Sequence, residues 1–444
     1  MDNAARIIAR LPTSVAGPPR LTTNSEVATI TYIPTILSWS DTSDNDIGAE
    51  HIFMTPAEGL QLQQQWEEMN PVQHLDLIRS IIDMIKQMAD LELPAYGSIY
   101  FDDALLAQHQ KSRFVEGFCI GPLCSSRVWN CGAGEASLYR HNNDKGPWSN
   151  VSDHLGSRMS SAYSRIPKSD DTSGPRRPYQ GSVEDHLELI KNNEVTVARL
   201  VQTLALKEVS RPTSLHPDLH KRNIFVSKDD PSKISCIIDW QSTSIEPAFM
   251  YANETPDFAA LPTDVISNDS PDQMLPDEES AKSKNQENIE RCAQAFEVCI
   301  FSYVDTLRQA RAIEQTILRP FRYCTSTWRD GVPAARIDMI DLFRAWKDLG
   351  LLGECPYQPT EDEIAAHEKQ YEDFKASHTL KTWLSRTFEI GSEGWVPIYD
   401  WGRILPLYRE AYPMWMEPAK ESEAEGDHDM TQEKADRLWP FDQR

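Results

Sequence analysis

Three side chains able to handle a metal ion or a proton stand close together in the stretch SLHPDLHKRNIFVSKDDPSKISCIIDWQSTS, residues 214–244. Asn223 follows Asp218 by five residues, and Asp239 closes an apolar run sixteen residues further on. Asn and Asp oxygens suit a hard cation such as Mg²⁺, which keeps several waters and shares phosphate oxygens. A carboxylate with no obligatory metal contact can instead orient a hydroxyl and accept its proton. The residues between supply the framework. IFVS and ISCIIDW are short β-branched runs, and Asp230-Pro231 between them is a turn signal. Antiparallel pairing of those runs places Asn223 and Asp239 at the same end of a hairpin, with Asp218 a loop's reach away. His216 is expected to brace the loop backbone, His220 to touch phosphate or pack locally, and Trp240 and Gln241 to be packing and loop residues. An isolated H-x-D or D-x₄-N is commonly an Asx turn. The full string, hairpin and I-I-D-W together are far rarer by chance.

An Asp base, an Asn five residues on and a metal-binding Asp after a hairpin make up the working end of a phosphoryl-transfer site. LHPDLHKRNIFV followed by IIDWQSTS resembles the aminoglycoside-phosphotransferase superfamily, whose usual form is H-G-D-x-H-x-x-N-I-x-V followed by I-D-W/F. ARLPTSVAGPP, TTNSEVAT, LSWS, IGAEHIFM and TPDFAALP resemble more closely its fungal branch that includes the altered inheritance of mitochondria protein 9 family, over most of residues 5–415. Pro217 departs from the pattern where Gly is usual. The resemblance implies a protein-kinase-like fold with ATP and Mg²⁺ sites in active members. Carried over by motif, Asp218 is the base and Asn223 and Asp239 are the Mg²⁺ ligands.

The same resemblance implies ATP-side residues. Arg10, in IIAR, stands where the family carries its phosphate-side cation, and Arg supplies that charge as a planar fork. Glu26 stands where a helix carboxylate pairs with that cation; without the family, it reads as the last residue of a capping box, Thr23-Asn24-Ser25-Glu26. Phe53–Ala57 would border the adenine. Pro56 has no N–H to offer, which leaves Thr55 and Ala57 as contacts. The first strand reads like the family's third, no Gly precedes Gly17, and the helix holding Glu26 looks short. Two functional readings follow. One is a kinase-like enzyme that phosphorylates a hydroxyl of an unknown small molecule. The other is a catalytically impaired pseudokinase, a nucleotide-binding or scaffold protein lacking the Gly-rich phosphate loop. A metal-dependent hydrolase is weaker, because no H-x-H or H-E-x-x-H set is present.

The pattern as a whole is α+β: a truncated β-rich amino-terminal lobe over 1–57, a larger helical lobe over 58–416 and a charged, fraying tail over 417–444. Strands are expected over 5–12, Ile36–Trp39, His51–Met54 and 95–101, with a helix starting at the capping box. Leu75, Ile78, Ile82, Ile85 and Met88 share one face of a helix that begins at Pro71. Val183–Leu206, Cys292–Arg311 and Glu361–Phe388 are also helical. Residues 121–182 read as an irregular insertion, mobile near 167–182, and 254–290 as an exposed loop. These segments flank the catalytic string. Asp257, Asp264 and Asp269 are there for a cationic acceptor, or simply as a solvated acidic loop; Trp129, Trp148 and Trp240 offer an aromatic cage or core packing.

Bulk properties set the outer bounds. The 444 residues are 40% apolar, enough for a sizeable core. A net charge of −24 disfavours nucleic acid or an anionic membrane as main partner. Eight cysteines without a C-x-x-C pair fit a reducing, intracellular compartment. Mitochondria are implied by the family resemblance, with the cytoplasm as alternative. No apolar run reaches membrane-spanning length, and nothing in the sequence sets an oligomeric state.

Overall fold

The computed structural model describes residues 7–12, 17–30, 36–125, 129, 144–168, 177–261, 276–322, 326–390, 394, 396, 398–426 and 429–441. In chain order, its first elements are β1 (Ile8–Arg10), α1 (Pro19–Ile30), β2 (Ile36–Ser40), β3 (His51–Met54), β4 (Leu60–Gln61), α2 (Leu62–Gln65), α3 (Pro71–Ala89), β5 (Ser98–Phe101), β6 (Ser112–Val115) and β7 (Phe118–Gly121). Next come α4 (Val151–Ser164), α5 (Val183–Leu200), α6 (Leu204–Glu208), β8 (Pro212–Ser214), β9 (Ile224–Val226), β10 (Ile234–Ile237) and β11 (Ile245–Pro247). The rest is helical: α7 (Pro276–Tyr303), α8 (Asp305–Arg311), α9 (Gln315–Leu318), α10 (Thr327–Asp330), α11 (Val332–Ala345), α12 (Glu361–Thr387), α13 (Trp401–Ala424) and α14 (Gln432–Leu438).

The class is α+β, as expected. The chain divides into two compact units, Met1–Arg158 with Leu200–Glu314, and Met159–Arg199 with Gln315–Arg444. These boundaries differ from the lobes read from the sequence. The first unit holds four small antiparallel sheets, ordered β1-β3-β2, β10-β9-β4, β11-β8 and β5-β7-β6. The second has no strand among its described residues.

In the first unit, β3 is the central strand of its sheet. Arg10 pairs with Ile52 on one side of it, and Trp39 pairs with the same residue on the other. α1 covers this sheet through Val27, which packs with Ile52 and Met54. Its start corrects the capping-box expectation. Pro19, with φ preset for a helix, opens α1 four residues earlier, so Thr23 and Glu26 lie in the helix interior and are buried. α3 begins at Pro71 as expected, and Asn70 caps it by accepting from the N–H groups of Val72 and Gln73. Its Leu77, Ile78, Ile81, Ile82 and Ile85 enter the main core with Ile224, Val226 and Ile237 of the hairpin and Phe296 and Ile300 of α7. Burial of each such side chain contributes roughly 1.5–3 kcal/mol.

The segment expected to be irregular contains a helix, α4. Asn150 starts it by accepting from the N–H of Asp153 at 2.9 Å. Its buried residues include His154, Arg158 and Ser161 beside Leu155 and Met159, so polar side chains disguise the apolar period. Residues 126–128, 130–143 and 169–176 of that segment lie outside the described residues, as do 262–275 of the expected exposed loop. α7 already begins at Pro276, inside that loop.

In the second unit, α12, α13 and the end of α14 form a cluster of Leu380, Leu384, Phe388, Ile404 and Trp439. The charged tail is therefore ordered where it is described. Leu438 and Trp439 are buried, and Trp439 Nε1 donates to the Tyr408 hydroxyl at 2.8 Å. Two apolar residues anchor a segment whose overall composition is charged.

Candidate active site

The loop from His216 to Asn223 is a closed set of hydrogen bonds. The backbone N–H of Asp218 donates to His216 Nδ1 at 3.1 Å, so the ring proton sits on Nε2, which donates to the Ile238 carbonyl at 2.9 Å. Burial holds the His216 imidazole neutral, its pKa lowered to about 4. The bracing role expected for His216 is what the geometry has: it ties the loop to the hairpin. A 3₁₀ turn over Lys221–Asn223 follows. The N–H of Ile238 then donates to the Asn223 carbonyl at 2.9 Å, extending the Ile224↔Ile237 pairing by one step. Asn223 and Asp239 therefore stand at the same end of the hairpin.

Asp218 is bonded on both carboxylate oxygens. Oδ2 accepts from Asn223 Nδ2 at 2.8 Å and from Arg222 at 2.6 Å, while Oδ1 lies 3.1 Å from His220 Nε2. Asn223 Nδ2 also donates to the Asp218 carbonyl at 2.8 Å. Its N–H groups thus face Asp218, and Oδ1 is the end left over. Asp239 has a left-handed backbone, φ 68°, a conformation Asp adopts more readily than most residues.

Arg10 joins the strand sheet to this hairpin. Its Nη1 is 2.5 Å from Glu26 Oε1, and its Nη2 donates to Asp239 Oδ1 at 2.9 Å and to Gln241 Oε1 at 2.7 Å. Glu26 is only 5% exposed. Burial raises its carboxyl from 4.5 to about 7, with Arg10 pulling it down and Asp239 pushing it up. The structure thus brings Arg10, Glu26 and Asp239 together, and Asp218, His220 and Asn223 together, with the hairpin linking the two sets. Thr55 and Ala57 lie on the connector between β3 and β4, exposed and half-buried, and share no hydrogen bond or ion pair with either set.

The donors fit a Mg²⁺ ion. Asn223 Oδ1 and Asp239 Oδ2 are the oxygens without a protein donor among the described residues. Two such oxygens suit a cation that completes its shell with waters and phosphate oxygens; among the described residues, no group of three His, Cys, Asp or Glu is set to hold a metal.

Several contacts were not readable from the sequence. Gln241 shares Arg10 with Asp239, and Arg222 reaches Asp218. Asp257, expected on an acidic loop, buttresses the His216–Asn223 loop instead: its Oδ1 accepts from the Lys221 N–H at 3.0 Å, and its own N–H donates to His220 Nδ1 at 3.2 Å. Asp264 and Asp269 lie outside the described residues. The three tryptophans form no cage. Trp129 and Trp148 pack with Tyr96 and Leu123, while Trp240 packs in the main core against His216.

No family model matches the chain. A subtelomeric hrmA-associated cluster protein of Aspergillus fumigatus is 30% identical over 287 residues, 56% of this chain and 55% of that protein. The altered inheritance of mitochondria protein 9 of Saccharomyces cerevisiae is 25% identical over 275 residues, 53% of this chain and 43% of that protein. The chain thus spans about half the length of the curated relatives it matches. Among solved structures, an ADP-bound aminoglycoside phosphotransferase aligns with a TM-score of 0.36 at 11% identity, over 79% of this chain and 86% of its own. An ethanolamine kinase of Plasmodium vivax gives 0.32 at 14%, over 84% and 77%. By sequence, the chain is similar to the fungal altered inheritance of mitochondria protein 9 group and, through its H-x-D-x-H-x-x-N string, resembles the aminoglycoside-phosphotransferase superfamily.

Proposed function

We propose that this chain transfers the γ-phosphoryl group of ATP to a hydroxyl of a small molecule. One observation carries the reading. Arg10, paired with buried Glu26, reaches Asp239 across 229 residues of sequence, and Asp239 stands beside the Asn223–Asp218 pair. A cation, two metal-type oxygens and a carboxylate held by its neighbours at one hairpin end are the parts a phosphoryl transfer needs.

Each residue then has a role. Asp218 orients the acceptor hydroxyl and takes its proton as the hydroxyl oxygen bonds to the γ-phosphorus. The bond from that phosphorus to the bridging oxygen breaks, and ADP leaves. Asn223 and Asp239 would hold Mg²⁺, which when bound neutralises phosphate charge. Arg10, steadied by Glu26, faces the phosphates. Thr55 and Ala57 border the adenine, and His220 steadies Asp218. A mitochondrial location is part of the proposal and rests on the name of the yeast relatives alone.

A second reading, nucleotide binding without transfer, is favoured by the contacts on Asp218: Arg222, Asn223 and His220 occupy both of its oxygens, which leaves the proposed base engaged. The test is transfer of labelled γ-phosphate from ATP to a broad pool of hydroxyl metabolites. Asp218→Asn keeps the side-chain shape and cannot take a proton. It is expected to lose about 10²–10⁴-fold in turnover while Mg·ATP affinity changes little. Full turnover in that variant removes Asp218 as base. Mg·ATP binding with no transfer to any hydroxyl supports the second reading.

A further inference from the structure

Arg10, the cation proposed to face the phosphates, has three acceptors. Nη1 meets Glu26, and Nη2 donates both to Asp239 Oδ1 at 2.9 Å and to Gln241 Oε1 at 2.7 Å. Two of the three are carboxylates, and the third is a neutral amide. Asp239 has a second task in the proposed site: as a Mg²⁺ ligand it would share its negative charge between Arg10 and the cation. Gln241 has no such second task.

The turn that presents Gln241 is built for it. Asp239 and Ser242 both have left-handed backbones, φ 68° and 63°, which non-glycine residues keep only where their surroundings hold them there. Trp240, between them, is buried; its Nε1 donates to the Ile237 carbonyl at 2.9 Å, and its ring centre lies 4.6 Å from that of His216. On the far side, the Thr243 carbonyl accepts from the buried Ser98 hydroxyl at 2.9 Å. Held at Trp240 and at Thr243, the turn brings the side chains of residues 239 and 241 to one nitrogen of Arg10.

We infer that Gln241 is a positioning residue for nucleotide binding: it fixes the Arg10 fork beside Asp239 without cancelling the charge that the phosphates are to meet. This rests on the proposed function only for the role of Arg10 toward phosphate. An apolar side chain at 241 leaves the charge of Arg10 as it is but removes one of the two acceptors on Nη2, so the fork is less fixed. A carboxylate at 241 keeps the acceptor and sets a third negative charge on the guanidinium, in a chain whose net charge of −24 already opposes a polyanion. Neutrality and hydrogen-bonding capacity are both needed, and an amide has both.

Two variants of the full chain separate these needs. Gln241→Met removes the acceptor at nearly equal length, and Gln241→Glu keeps it and adds a charge. Two quantities are measured for each: the urea unfolding midpoint without nucleotide, and the affinity for Mg·ATP by calorimetry. Gln241→Glu is expected to unfold at or above the midpoint of the unaltered chain and yet to bind Mg·ATP at least about tenfold more weakly. Gln241→Met is expected to unfold at a lower midpoint and to lose about tenfold in affinity, the effect of one hydrogen bond to a charged group. A purely structural role predicts instead that affinity follows the midpoint, with Gln241→Glu binding normally; that result overturns the inference. Undiminished affinity in Gln241→Met, failure of Gln241→Glu to fold, or no binding of Mg·ATP by the unaltered chain overturns it too. If Gln241→Met does not fold, Gln241→Glu alone decides, because a stable protein with weakened binding is the expected result. Transfer is not read here, so the expected order of affinities in a chain that phosphorylates no hydroxyl supports the inference and removes only the phosphotransferase reading.

Discussion

Glu26 is a carboxylate placed where water scarcely reaches, and its ionisation links the site to stability. Burial raises its pKa from 4.5 to about 7. Between those values the folded chain holds a proton that the unfolded chain has released. Stability contributed by this group is therefore present below pH 4.5 and falls as pH rises through 7. Glu26→Gln has no proton to lose. Its stability relative to the unaltered chain is expected to grow by roughly 3 kcal/mol between pH 4 and 8, read from urea midpoints at both values. Parallel curves for the two proteins would mean that Glu26 ionises normally. The residue scale also shows what a sequence can carry. Asp218, Asn223 and Asp239 are legible because their types and spacing state a chemistry. Arg10 and Glu26 are legible only through family resemblance, since the sequence does not say that a strand end lands on a hairpin end. Gln241 and Arg222 carry no such signal. Their partners depend on how loops and a distant strand are placed.

At the scale of elements, the hairpin and the connector before it position the metal-type oxygens. Leu60 pairs with Val226, so the chain must pass close to β9 just before it. Gly59 makes that approach with φ +99°, and a Cβ there would lie 2.1 Å from the Val226 carbonyl oxygen. Gly59→Ala is expected to destabilise the chain by at least about 1 kcal/mol, through both strain and collision. Gly48→Ala, at φ +75° with open space around it, should cost less. Thermal or urea unfolding of the pair checks this, and an equal loss in both would remove the close approach as the cause. Elements with strong local signals matched their expectations. β3 is His51–Met54, and α12 begins at Glu361 behind Thr360, which caps it. α1 and α4 differed because local and tertiary forces compete. A proline overrode a capping box in α1, and buried His154, Arg158 and Ser161 hid the apolar stripe of α4.

At the scale of the molecule, the α+β class followed from the alternation of strand-like and helix-like stretches, while the partition into units did not. Chain segments far apart in sequence assemble each unit, and composition holds no record of that. Among the described residues, Cys119, Cys124, Cys236, Cys292, Cys299 and Cys355 are free thiols, and no helix is long and apolar enough to cross a membrane. A net charge of −24 surrounds the site, so in the proposed transfer Arg10 and a bound cation would have to offset that field for ATP to bind. Calorimetric titration of ATP into the chain, with and without Mg²⁺, therefore tests the central claim most directly. The account predicts that ATP binds measurably only with Mg²⁺, and that Asp239→Asn weakens this binding by at least about tenfold through loss of a charge facing the cation. Equal ATP binding with and without Mg²⁺, unchanged in Asp239→Asn, would contradict it.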